Sequence, residues 1–195
     1  MRRITLPSSG CWSKPTSAIR WPLLDWCLMP NHWHLVVAPD EDDQLTNFFR
    51  WMTHTHSMRW HPAHNAVGRG ALYQGRFKTL PVETDGHLLT LLRYVGRNPL
   101  RAKLVRQAED WRWCGGHVRR HGPKKLRDIL HDWPIDRPRD WTRWLNEPQT
   151  DKEVAELRNA VKRGSPFGSA GWAASTAAKL QLDWTLRPRG RPKGR

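Results

Sequence analysis

The chain has 195 residues, enough for one mid-sized domain or a smaller domain with an appendage. Its 33 Lys and Arg against 18 Asp and Glu leave a formal net charge of +15, which points to nucleic acid or an anionic membrane surface. The absence of an apolar run of about 18 residues argues against a membrane span, and three cysteines (Cys11, Cys27, Cys114) without a C-x-x-C pair suit a reducing cytosol better than a disulfide framework.

Taken in chain order, residues 1–20 are rich in Ser, Pro and Arg, show no period and read as irregular. Residues 24–38 look extended, with Pro30-Asn31 as a break before a strand over 32–37. The spacing of Leu45, Phe48, Phe49, Met52, His56 and Arg59 predicts a helix over 44–60, capped by Asp42 or Asp43 and stopped by Pro62. A Gly-containing loop precedes a second expected strand over 71–82. Asp85 then caps a helix running from 86 to about 98, with Leu88, Leu89, Leu92 and Val95 on its apolar side and Asn98-Pro99 interrupting it. Beyond Gly115-Gly116 lies a Pro-punctuated basic region, followed by two short helices over 151–163 and 169–182. The order of elements predicts an α+β core with a helical appendage. It divides into an irregular segment 1–20, a domain 21–120, a helical extension 121–186 and a basic tail 187–195.

The positive charge is concentrated. Residues 93–127 hold eleven basic residues and two acids, a net +9, and residues 187–195 hold five basic residues and no acid. The tail reads R-P-R-G-R-P-K-G-R, whose Gly and Pro forbid an amphipathic membrane helix, so nucleic acid becomes the leading partner.

His32-Trp33-His34 is the sharpest local feature. In a strand, residues two apart share a face, so both imidazoles can converge on one ion while Trp33, Leu35 and Val37 face a core. Two solvent-facing histidines on an edge strand remain the alternative. His54 and His56, by contrast, lie two apart on a helix, about 200° around it, and cannot chelate together.

Of the two tyrosines, Tyr94 falls on the polar face of the 86–98 helix with His87, Thr90 and Asn98. It reads either as a nucleophile, with Asn98 donating an oxygen to a nearby cation, or as a semi-buried ring with its hydroxyl in water. Trp111, Trp113, Trp133, Trp141 and Trp144 are candidates for base stacking or for the core.

The three segments MPNHWHLVV, LYQGRFK and LRYVGRNPLRAKLV, in this order, resemble the HUH single-tyrosine transposases, especially the REP-associated branch. The tail segment RGSPFGSAGW…LRPRGRPKG is similar to the extension of many such proteins. This resemblance implies a ferredoxin-like antiparallel sheet with packed helices. It implies His32 and His34 as metal ligands, Asn98 as a third, and Tyr94 as the nucleophile. The reaction implied is cleavage and rejoining of single-stranded, hairpin-associated DNA through a 5′-phosphotyrosine, with Mg²⁺ or Mn²⁺ as cofactor.

Binding is expected from Arg93, Arg97, Arg101 and Lys103 after the tyrosine helix, and from Gln74, Arg76 and Lys78, alternating on the 71–82 strand. Arg189 and Arg191 in the tail resemble an AT-hook core suited to an AT-rich minor groove. The family's domain begins with a strand and helix that residues 1–20 do not match, so the expectation is an N-terminally shortened copy. It is either an active single-strand endonuclease and transposase, cytoplasmic and nucleoid-associated, or a DNA-binding remnant with impaired catalysis.

Overall fold

The computed structural model describes residues 22–41 and 43–187. Segment 1–20, the alternative cap Asp42, and the tail arginines Arg189 and Arg191 lie outside the described residues. The chain forms two compact units: Met1–Phe77 with Val95–Trp133, and Lys78–Tyr94 with Pro134–Arg195. Among the described residues the architecture is α+β, a two-stranded antiparallel sheet followed by helices.

In the first unit, β1 (Leu23–Leu28) and β2 (Trp33–Val37) form a hairpin whose register sets Cys27 opposite His34 and Leu28 opposite Trp33. The connection closes through Met29 N donating to His32 O at 2.8 Å. Alternation along β2 then does what the sequence pattern requires. Trp33, Leu35 and Val37 pack on Phe48 and Phe49 of α1 (Gln44–Ala63), joined by Leu45, Met52 and Phe77. The Trp33 ring stacks on Phe49 at 5.1 Å, and Phe49 meets Phe77 at 4.5 Å. Asp43 sits at the helix start without a side-chain cap bond.

Two expectations are corrected. Pro62 does not stop α1, which continues through it to Ala63. The proline lies in the final turn, and the end closes with His64 N on Trp60 O (3.1 Å) and Ala66 N on His61 O (2.8 Å). No strand forms over 71–82 either. Gly68, Gly70 and Gly75 take φ of +80°, +88° and +89°, so the chain turns repeatedly, and Gly75 breaks the alternation between Gln74 and Arg76. Only Val82 at the end of this stretch bridges another segment, at Phe167.

The edge of β1 away from β2 is filled by the segment that follows the family-like motifs. Leu28 N donates to Trp113 O (2.9 Å) and His131 N to Leu23 O (2.9 Å), while Cys27 stands opposite Cys114. The indoles of Trp111 and Trp133 donate to Leu28 O and Leu24 O at 2.9 and 3.1 Å, and Arg119 adds a bond to Leu24 O at 2.9 Å. Burial raises both thiols, Cys114 to about 12, so they stay protonated. Helix α2 (Gly86–Gly96) leads into α3 (Asn98–Arg101), and the basic region folds as α4 (Gly115–His121) and α5 (Lys124–Arg127).

The second unit takes the start of α2 together with α6 (Trp141–Asn146), α7 (Asp151–Arg163), α8 (Ala170–Lys179) and α9 (Asp183–Leu186). Its buried residues include Leu88, Leu92, Trp141, Leu145, Leu157, Ala160 and Ala177. α7 starts at a capping box, Thr150 with Glu153, and ends at Gly164 in the left-handed region (φ +67°). Glu83 accepts from Ser169 N at 2.6 Å, which joins the approach to α2 to the α7–α8 connection.

The approach of α4 to β1 leaves no room at Gly115. A Cβ there would lie 2.1 Å from Asp25 Oδ1, whereas one at Gly116 would meet only Cys114 Sγ at 3.9 Å. Gly115→Ala is therefore expected to destabilise the protein by about 1–3 kcal/mol, the usual cost of overpacking. Gly116→Ala is expected to be neutral or stabilising, because alanine is the better helix former. Urea unfolding of the two variants checks this.

Candidate functional site

The hairpin brings His32 and His34 together. His34 lies within β2 and His32 immediately before it, with ring centroids 4.9 Å apart and planes at 88°. His32 Nδ1 lies 2.7 Å from Asn31 Oδ1. Burial lowers the pKa of His32. That of His34 is lowered to about 4, first by burial, then by the neighbouring His32 and by the Arg101 guanidinium. Both imidazoles are neutral at pH 7 and retain the lone pairs that a metal ion needs.

Asn98 belongs to the same unit as the histidines, but it does not continue the polar face of α2 as the sequence pattern suggests. It opens α3, is 8% exposed, and donates from Nδ2 to Val95 O at 3.3 Å. Its Oδ1 accepts from Arg101 Nη1 at 3.2 Å. An amide oxygen has two lone pairs, so accepting from Arg101 is compatible with meeting a cation as well. The donor set of two neutral imidazoles and an amide oxygen fits a divalent ion that keeps water or phosphate as its other ligands. Arg97 is also buried, at 8% exposure, whereas Lys103 is exposed.

Gln74, Arg76 and Lys78 are all exposed, but on irregular chain and not on one strand face. The loop that carries the first two is tied to α1 by a contact that sequence reasoning missed. Tyr73 Oη lies 2.6 Å from Nδ1 of His56, a buried residue. Burial, with a contribution from His64, lowers the pKa of His56. The helical period marks His56 as facing inward, but nothing in the spacing links it to Tyr73.

In the second unit, Tyr94 is half-buried on α2. The adjacent Arg93 is not a surface cation. It is 4% exposed, donates to the carbonyls of Trp144 (2.8 Å), Glu147 (2.8 Å) and Pro148 (3.1 Å), and covers the Trp144 ring at 4.6 Å. That geometry makes it an internal clamp and removes it from the DNA contacts expected of it.

Glu83, Asp85 and His87 form a cluster that no sequence pattern singles out, with one ligand atom from each within 4.8 Å. Its members are already engaged. Asp85 Oδ1 accepts from His87 N at 2.7 Å as the α2 cap and lies 2.9 Å from His87 Nδ1, and Glu83 holds Ser169. Helix capping and segment docking account for this arrangement.

Residues 12–98 match the family model described as IS200-like transposase. That segment is similar to the IS200-like transposases. The match spans the histidine hairpin, the Tyr73 loop, α2 with Tyr94, and Asn98 at the start of α3. No curated protein and no solved structure matches the chain. Among the described residues no helix is long and apolar enough to cross a membrane.

Two predictions arise. A histidine whose folded pKa lies below its unfolded value contributes stability that is complete above the unfolded value and lost as pH falls. The first unit should therefore lose stability as pH drops from 6.5 towards about 4 through His34. His34→Asn should flatten that slope in denaturation curves measured across the range. Separately, Arg93→Ala should destabilise by about 2–4 kcal/mol, since three carbonyls lose a charged donor. Arg93→Lys should recover only part of this, because an ammonium lacks the planar fork. Thermal unfolding distinguishes the two variants.

Proposed function

We propose that the protein cleaves and rejoins single-stranded DNA next to a hairpin by way of a covalent phosphotyrosine. The observation that carries this reading is the pair of neutral, partly buried histidines at 4.9 Å inside the transposase segment. His32 and His34, with the amide oxygen of Asn98, hold a divalent cation, Mg²⁺ or Mn²⁺, which when bound polarises the non-bridging oxygens of the scissile phosphate. The Tyr94 hydroxyl attacks the phosphorus in line. The new Oη–P bond replaces the bond to the 3′ oxygen, which leaves as a 3′-hydroxyl after taking up a proton. The phosphodiester count is conserved, so a 3′-hydroxyl returning to the phosphotyrosine rejoins strands without an external energy source.

Arg101 supports this reading because it is a cation coupled to His34 and bonded to Asn98, placed to draw a phosphate towards the pair. Lys103, Gln74, Arg76 and Lys78 offer exposed groups for the flanking strand, and Arg189 and Arg191 offer a minor-groove contact.

The test uses hairpin-bearing single-stranded DNA labelled at its 3′ end, incubated with Mn²⁺ and run on a denaturing gel. The full chain is expected to form a protein–DNA adduct that Tyr94→Phe abolishes and His34→Ala strongly reduces. Cleavage that survives Tyr94→Phe overturns the tyrosine mechanism. A salt-dependent gel shift with no adduct under any metal identifies a DNA-binding remnant.

A further inference from the structure

We propose that α4 and α5 form a docking surface for the sugar–phosphate backbone of double-stranded DNA. This rests on the reading above only in taking DNA as the partner. The surface lies beyond the segment that matches the transposase family, and none of its residues belongs to the metal or tyrosine chemistry.

The first argument is charge. Between Trp111 and Arg127 the chain carries Arg112, Arg119, Arg120, Lys124, Lys125 and Arg127 and no acid. Arg119 is turned inward onto Leu24 O and His131 O. The other five are exposed, on both sides of the Gly122-Pro123 turn that joins the two helices. The nearest acid after them, Asp128, pairs with Lys124 at 2.7 Å on exposed side chains, a contact too weak to hold the lysine from a phosphate.

The second argument separates duplex from single strand. Binding of an unpaired strand relies on open aromatic faces on which bases stack. The tryptophans around this surface are committed elsewhere. Trp111 and Trp133 donate to the backbone of β1, and the Arg112 guanidinium lies over the Trp113 ring at 4.5 Å. What remains facing solvent is a set of cations without stacking platforms, which suits the regular phosphate rows of a stacked double helix.

The third argument is rigidity. α4 is fastened to β1 by Arg119, by the close approach of Gly115 to Asp25 and by the Cys27–Cys114 backbone bridge. β1 in turn pairs with β2, in the register that sets Cys27 against His34. A duplex seated on α4 and α5 is thus held in a fixed relation to the histidine pair. It is the platform against which the single-stranded part of the substrate is measured out.

The test compares two probes, a DNA hairpin with a stem of about one helical turn, roughly 10 base pairs, and an oligothymidine strand of equal length. The variant is Arg120→Gln/Lys124→Gln/Lys125→Gln/Arg127→Gln, with thermal unfolding to establish that it folds. For the hairpin, the magnitude of the log–log salt slope of binding is expected to fall by about 3.6, roughly 0.9 for each of the phosphates that the four cations no longer neutralise. Binding of oligothymidine should change less than about twofold, within the range of surface substitutions. An equal decrease on both probes, or no decrease on the hairpin, overturns the proposal. All binding is measured in a Tyr94→Phe background, so absence of the covalent adduct affects only the catalytic reading, while unchanged hairpin binding affects only this one.

Discussion

A buried strand with a partner on one side must have its remaining amides and carbonyls satisfied from the other, and β1 is the strand on which this constraint falls. Leu23, Leu24, Asp25 and Cys27 are all buried, so no water can serve that edge. β2 takes one row of groups. The other is met by backbone from 113 and 131 and by three side-chain donors, Trp111, Arg119 and Trp133. Each unmet group would cost about 1–3 kcal/mol, so the edge alone outweighs a large part of a domain's net stability. Trp111 and Trp133 suit this role, since an indole supplies an apolar body for the core and one N–H for a carbonyl.

The same constraint explains Arg93. A guanidinium removed from water requires acceptors, and α6 with the connection to α7 supplies three main-chain carbonyls and an aromatic face. The clamp ties the tyrosine helix to the C-terminal helices within the second unit. Basic residues in the window 93–127 therefore divide into two kinds. Arg93, Arg97 and Arg119 are committed to the fold, whereas Lys103, Arg112, Lys124 and Arg127 face solvent. A count of charges cannot make that division, because it depends on which carbonyls the tertiary fold leaves unmatched.

Elements with a strong local period are legible in the sequence, and elements decided by long-range pairing are not. α1 starts where the apolar spacing places it, α7 spans the expected 151–163, and the histidines come together because the strand period is 2. The expected strand over 71–82 does not form for a local reason, the positive φ of Gly75 within it and of Gly68 and Gly70 just before it. Asn98 is expected on the face of Tyr94 because its spacing is helical, yet α2 ends at Gly96 and the side chain folds back to Val95 O. The pairing of His56 with Tyr73 and of Glu83 with Ser169 spans 17 and 86 positions, and no periodicity encodes such contacts.

Electrostatics links the histidine pair to the partner expected from charge alone. A pKa of about 4 at His34 means that the folded protein disfavours an imidazolium there by about 3 kcal/mol, at about 1.4 kcal/mol per unit from 6.5. Part of that cost is desolvation, which acts on any charge, and part is the field of Arg101, which acts on cations only. The Arg101 contribution reverses sign for an anion. The guanidinium field that disfavours a proton on the His34 ring favours an anion in the same place. The overall charge of +15 favours a polyanion over many parts of the surface, whereas the field of Arg101 at His34 is local to one place.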